Sequence, residues 1–507
     1  MKTKVIVIGS GVAGLSSAAY LAQAGYEVSL LEKNEHIGGR ARMFKHEGFM
    51  FDMGPSWYWM PDVFEKFYSD FGKTTSDFYE LVRLDPSYQV FWKNKEGINI
   101  PANRSELEAL FDKFEPGSAI KLRQFLKEAA YKYEVGINDL VYKPSLSVFE
   151  FADARLLNGM LKMDVLTSMK KHIRQFVSHP FLIELLEFPI LFLGALPKNT
   201  PALYSLMNYA DMSLGTWYPM GGMHNIIDAF EKIATSQGVK IYTNTEVLRI
   251  TSENGKAKQV ITTTGTYSTE LIVAAGDYHH VDQHLLEKND RNYTETYWNK
   301  RKLAPSSLLY YVGLNKRLKN LQHHNLFFDE DFNQHANEIY TDIKWPEKPL
   351  FYASVPSITD SSVAPEGCEN LFLLIPVSTE LTDDTEAIRD KYFDMILDRL
   401  EKLTNQSIRE HIIYKRSYAK KEFMSDYHSF KGNAYGLANT LSQTAILKPR
   451  MKSKKLNNLY FAGQLTVPGP GLPPSIISGK VVANLICKEH PLSKDFVTPK
   501  QPIAETA

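Results

Sequence analysis

The sequence predicts an α/β protein of more than one domain, organised around a dinucleotide-binding unit at its start. Three observations predict it. Residues 4–32 read as strand, glycine turn, helix, strand and acid. A second glycine pair, Gly38-Gly39-Arg40-Ala-Arg42, follows six residues later. Far along the chain, Leu459 to Ser475 reads as a strand, a Pro/Gly loop and the start of a helix.

In the first unit, Lys4-Val-Ile-Val-Ile8 is a β-branched apolar run and Gly9-Ser-Gly11-Val-Ala-Gly14 follows at once. Each glycine has a physical task. Gly9 permits the tight turn, Gly11 lets backbone amides approach a pyrophosphate, and Gly14 lets the helix pack closely on the strand. The helix Leu15–Ala24 directs its positive end at the phosphates. Glu32 closes the second strand, Tyr26–Leu31, where it can accept hydrogen bonds from ribose hydroxyls. The pair Gly38 and Gly39 allows the chain to turn back across the pyrophosphate, and Arg40 can add a charge-assisted bond. This combination resembles the FAD-binding fingerprint of the amine oxidase and carotenoid desaturase superfamily. It makes FAD the first choice of cofactor and NAD the second.

The 507 residues exceed what one core accommodates, and 44% hydrophobic with 23% charged content fits a folded globular chain. Lys+Arg and Asp+Glu both number 58, so a nucleic-acid partner is not expected. Two cysteines, Cys368 and Cys487, give no disulfide framework and fit a reducing cytosol. The early start of the first strand leaves no room for a cleaved signal. The most apolar stretch, Phe181–Ala195, carries Glu184, Glu187 and Pro189 and is too short to span a bilayer, which takes roughly 20 residues.

After Arg42 a strand-like piece, Phe49–Asp52, leads to Trp57-Tyr58-Trp59-Met60. Three adjacent aromatics cannot all face one core, so some are expected to line a cavity. Asp62 is expected to cap a helix reaching Phe71. Residues 80–101 alternate as strands, and 104–135 read as helix broken at Glu115-Pro116-Gly117. A helix is expected from Met223 to Ser236, and a strand from Lys240 to Ile250. Asn254-Gly255 should turn a hairpin, with Gln259–Thr264 returning and Leu271–Asp277 as a further strand. Residues 304–314 and 370–378 read as strands and 384–403 as a helix. His279-His280 and His323-His324 lack metal-ligand spacing and read as structural or surface residues; no metal is expected.

Leu157, Met160, Leu161, Val165, Met169, Ile173 and Phe176 recur at helical spacing, with Lys162, Lys170, Lys171 and Arg174 among them. A basic amphipathic helix beside the apolar Phe181–Ala195 stretch is expected to meet a membrane surface. A buried helical subdomain is the plainer reading. Asp153 with Arg155 is the one candidate catalytic charge pair; a solvated helix pair is its plainer reading. At the far end a helix from about Ser475 to Cys487 is expected to aim its N-terminus at the flavin ring.

Three stretches carry a specific resemblance: Phe51-Asp-Met-Gly-Pro-Ser-Trp57, Trp217-Tyr-Pro-Met-Gly-Gly222 and Phe461-Ala-Gly-Gln-Leu-Thr-Val-Pro-Gly-Pro-Gly471. In their sequence and order, over nearly the whole chain, they resemble the bacterial phytoene desaturases of the carotenoid oxidoreductase family. The resemblance implies FAD, a membrane-dissolved carotenoid, and desaturation of phytoene toward lycopene by hydride transfer to flavin. Family members that desaturate C30 chains or hydroxylated carotenoids, or isomerise without net redox change, are the alternatives. It places the backbone of Val247 at the adenine, and Gly463 and Thr466 beside the cofactor. It implies oxygen or a membrane quinone as electron acceptor, and a cytoplasmic protein held peripherally at the inner membrane. The expected division is an FAD-binding, Rossmann-like domain (1–75, 215–290, 420–490), a mixed-sheet substrate domain (76–140, 291–419) and a helical membrane-associated subdomain (141–214).

Overall fold

The computed structural model describes residues 2–93, 96–147, 150, 167–194 and 196–492. The first unit forms as its pattern dictates: strand β1 (Lys4–Ile8), helix α1 (Val12–Gln23) and strand β2 (Glu27–Leu31). These enter a five-stranded sheet in the order 459–461, 271–274, β1, β2, 240–242. All its pairings are parallel. Such sheets are covered on both faces, and β1 is accordingly buried at all but its first residue.

A second, seven-stranded sheet runs in the order 412–418, 306–314, 369–377, 351–354, 324–328, 88–92, 98–100. It is mixed: the pair 324–328 with 88–92 is parallel and the other pairs are antiparallel. One face packs on helix Glu386–Thr404. The other joins the large core that also surrounds the parallel sheet.

Several boundaries differ from the sequence expectation. The expected strand 240–250 is two: Lys240–Tyr242 in the parallel sheet, and Val247–Glu253 in a three-stranded antiparallel sheet. Asn254 and Gly255 do turn its hairpin, both with positive φ (50° and 72°). Asp62 is not a cap. The helix Pro61–Ser69 is preceded by Met60 in the left-handed region, and the Asp62 carboxylate instead accepts from the Tyr133 hydroxyl at 2.8 Å.

The largest correction concerns Phe181–Ala195. Helix Pro180–Glu187 and the turn after it bury Phe181, Leu182, Leu185, Leu186, Phe188 and Ile190 in the main core. Glu184 accepts from Trp92 Nε1 at 2.8 Å, and burial raises its carboxyl to about 7. Glu187 is ion-paired with Arg174. Residues 181–190 pack inward and do not form an exposed apolar surface. Of the amphipathic stretch, Met169–Ile173 forms a short helix with Met169 and Ile173 buried. Lys162 and the candidate pair Asp153 and Arg155 lie outside the described residues, as does the tail beyond residue 492. Among the described residues no helix is long and apolar enough to cross a membrane.

Candidate active site

The site is a single cavity of about 1040 Å3, at the upper end of the roughly 300–1,000 Å3 typical of ligand pockets. One half is built on the first glycine turn. The Gly9 amide donates to Leu31 O at 2.8 Å and Gly38 N donates to Ser10 O at 3.1 Å, so the second glycine pair lies against the first turn. A Cβ on Gly14 would stand 1.9 Å from Gly9 O, whereas one on Gly11 would meet nothing within 4 Å. Gly14 is therefore demanded by helix–strand packing, whereas a side chain at Gly11 would enter the cavity. A Cβ on Gly39 would lie 3.2 Å from the Gly11 Cα.

Gly9, Gly11, Glu32, Gly38, Gly39, Arg40, Val247 and Gly463 line this half. Gly14 does not, which its packing role explains. Thr466 does not either: it is buried, and its hydroxyl donates to Pro449 O at 2.6 Å. Val247 lies where the strand pairing with Lys256–Thr262 shifts register. Glu32 has a second task beyond the expected ribose contact. Its Oε2 accepts from Ser10 N and Oγ (2.9 and 2.6 Å), and its Oε1 accepts from Asn34 N and Nδ2 (2.9 and 3.0 Å). The carboxylate clamps the glycine turn to the end of β2.

Arg40 is half-buried against the cavity. Its Nη2 donates to Ser429 Oγ and Asn433 O, while its Nε has no partner among the described residues. Burial lowers its pKa, with Asp277 opposing that shift. Asp277 also lines the cavity, and burial raises it to about 6. A half-buried cation whose buried Nε has no partner among the described residues, beside a glycine cradle, suits a pyrophosphate. Beyond it, His280 stacks on His428 at 3.9 Å and 5°, and His428 Nε2 bonds Glu246 Oε1 at 2.8 Å. Burial drives His280 down to about 3, so it is neutral. His280 was expected to be structural or surface, but it forms part of the cavity wall.

The other half is largely apolar, with Lys143, Ser145 and Tyr204 among its polar side chains. Trp57, Trp59 and Met60 line it with Leu203, Leu206, Met207, Leu309 and Leu374. Tyr58 points away, fully buried, its hydroxyl 3.0 Å from that of Tyr79. The alternation of one strand-like segment divides the aromatic run between cavity and core. Trp57 is held by stacking on His324 (4.2 Å, 13°), whose Nδ1 bonds the Tyr352 hydroxyl at 2.6 Å.

The two halves meet at residues 463–475. Helix Leu472–Glu489 begins three residues earlier than expected, because Pro473 and Pro474 fit its first turn. Its first residues line the cavity. Both prolines lack an N–H, and the Ser475 amide is taken by Gly471 O at 3.0 Å. The helix end thus presents its dipole with few donors. The helix is locked onto α1, where Ser16 Oγ donates to Ile476 O at 3.0 Å and a Cβ on Gly479 would stand 2.6 Å from Ser16 Oγ.

The model of the flavin containing amine oxidoreductases matches residues 12–487. The chain is 38% identical to a carotenoid 3,4-desaturase of Haloarcula japonica, over 96% of this chain and 98% of that one. It is 28% identical to a zeta-carotene-forming phytoene desaturase of Myxococcus xanthus, over 94% and 93%. Among solved structures, cyclohexylamine oxidase from Brevibacterium oxydans superimposes with a TM-score of 0.61 at 14% identity, covering 96% of this chain and 99% of that one. The glycine cradle, the arginine beside it and the match along nearly the whole chain agree: this protein belongs to the flavin containing amine oxidoreductase family and is an FAD-dependent oxidoreductase.

Proposed function

We propose that this enzyme is a carotenoid desaturase that removes two hydrogens from a CH2–CH2 unit of an acyclic polyene. The observation that carries this reading is the continuity of the cavity. Its glycine-lined half suits FAD, its apolar half suits a hydrocarbon, and the two share one space. Gly9, Gly11, Gly38, Gly39 and Arg40 would hold the pyrophosphate, Glu32 the ribose, and Val247 and the His280–His428 stack the adenine. Gly463 and the helix start at Leu472 would meet the ring. FAD supplies the oxidant. The chain's own contribution is to position the polyene and exclude water with Trp57, Trp59, Leu309 and Leu374. Residues 1–75, 215–290 and 420–490 would form the cofactor-binding part, and 76–140 with 291–419 the substrate-binding part.

Two finer readings of the substrate follow. The motif around Trp57–Met60 favours phytoene, desaturated toward lycopene. The 38% identity to a carotenoid 3,4-desaturase favours oxidation near one end of an already conjugated chain. Anaerobic mixing of the FAD-loaded protein with phytoene, and separately with lycopene, in liposomes decides. Bleaching of the flavin with a longer-wavelength product identifies the substrate. A flavin that stays oxidised with every carotenoid offered would overturn the desaturase reading.

A substrate dissolved in a bilayer also implies peripheral contact with a membrane. The cavity lining includes Thr444, Ala445 and Ile446. Ile446 and the adjacent Leu447 are exposed, at 38% and 49%. Burying such a side chain in lipid is worth about 1.5–3 kcal/mol. Replacing both by Asp is expected to weaken liposome binding about tenfold or more in a flotation assay, with FAD content unchanged. Equal flotation of the variant would remove this edge from consideration.

A further inference from the structure

Lys448 is a buried amine. It is 3% exposed, and its Nζ has no hydrogen bond among the described residues. Lysine is almost never buried unless paired, and the cost of a lone buried charge is high. Its place is set by the loop before the last helix. A Cβ on Gly469 would stand 3.1 Å from Lys448 Nζ and 3.5 Å from Asn439 Oδ1. That Asn439 oxygen is also buried, with no partner among the described residues. Gly469 and Asn439 both line the cavity, at the end where Gly471 and Leu472 begin the helix.

That end has an electrostatic need. A flavin ring bound there would carry negative charge when reduced, and the helix start at Leu472 offers few N–H donors because two of its first residues are prolines. Resting on the cofactor reading above, we propose that Lys448 is the charge-compensating residue of the redox site, its Nζ taking up a proton as the ring beside the 467–471 loop is reduced. The balance closes. A CH2–CH2 unit that becomes CH=CH gives up two electrons and two protons. FAD takes both electrons and one proton, and Nζ takes the other, passing from amine to ammonium. Burial alone lowers Lys448 to about 7, with no charged neighbour contributing. The oxidised enzyme therefore holds it largely neutral above pH 7, ready to accept.

The test is a reductive titration of the FAD-loaded protein between pH 6 and 9, with the variants K448M and K448R. Methionine has a similar length and removes the buried amine, so K448M is expected to fold and retain FAD. In the wild type above pH 7, two protons should accompany each two-electron reduction. In K448M only one should, making the dependence of potential on pH half as steep, and its potential should be lower. K448R keeps a permanent charge, so it should restore the potential but not the steep pH dependence. A one-proton slope in the wild type, or variants indistinguishable from it, would overturn the proposal. Loss of FAD from K448M alone would assign Lys448 to holding the cofactor and would overturn it too. The cofactor reading itself fails separately, if blocking Gly11 leaves FAD bound.

Discussion

Gly11→Val is expected to yield a folded protein that has lost its yellow colour. The position carries no backbone strain, with φ −63° and ψ 172°, and no atom lies within 4 Å of the place a Cβ would take. The folded chain should therefore tolerate the side chain. FAD should not, because those methyl groups occupy the space into which the pyrophosphate must come. FAD content after purification should fall below about one tenth of wild type, a loss of at least ~1.4 kcal/mol in binding, while circular dichroism stays the same. Gly14→Ala makes the contrast. Its methyl would stand 1.9 Å from Gly9 O, so it should destabilise the protein itself, and the midpoint of unfolding should drop even for protein without cofactor. If Gly11→Val keeps stoichiometric FAD, the cradle lies elsewhere.

Leu374→Trp should produce the opposite phenotype: full FAD and almost no turnover. Leu374 and Leu373 are neighbours on the strand Glu369–Val377, and their side chains leave opposite faces of the sheet. Leu373 packs in the core under helix Glu386–Thr404, fully buried. Leu374 lines the cavity, paired with Leu309 and Tyr352 across the strands. An indole at 374 should fill the space a polyene needs. Turnover in liposomes is expected to fall about 100-fold or more, close to 2.7 kcal/mol of barrier, with unchanged flavin absorbance. The same change at 373 should overpack the core and cost about 1–3 kcal/mol of stability instead. Normal turnover in the 374 variant would show that the substrate does not pass that strand.

How far the residues themselves reveal this site depends on the range of the interactions involved. The glycine turn was legible because its determinants are local: a β-branched strand, three glycines at fixed spacing and an acid at the end of the next strand. The Trp57–Met60 segment was legible for the same reason, since alternation alone splits its side chains between two sides. Phe181–Ile190 misled because composition cannot tell a helix facing a core from one facing lipid. The choice is made by partners such as Trp92 and Arg174, brought in from elsewhere. The His280–His428 stack, the Arg40–Asp277 proximity and the isolation of Lys448 depend on segments far apart in the chain, so no local pattern could announce them. Thr466 shows the converse: a residue inside a recognisable motif whose hydroxyl is committed to the backbone of Pro449.

The meeting of the two chain ends has a consequence for biosynthesis. Strand 271–274 lies between β1 and 459–461, and α1 rests on helix 472–489. A ribosome releases residues 4–42 long before residues 459–489 exist. Until residues 459–489 are made, the first helix lacks its partner and one edge of the sheet is open. An exposed strand edge and an uncovered apolar helix face are hazards in a nascent chain, and contacts this distant in sequence close slowly. Ligand binding to the native form alone then draws the equilibrium toward it. Flavin supply during expression should therefore govern the soluble yield of this protein as strongly as temperature does, and chains cut short of residue 459 should accumulate with chaperones rather than as cofactor-loaded halves.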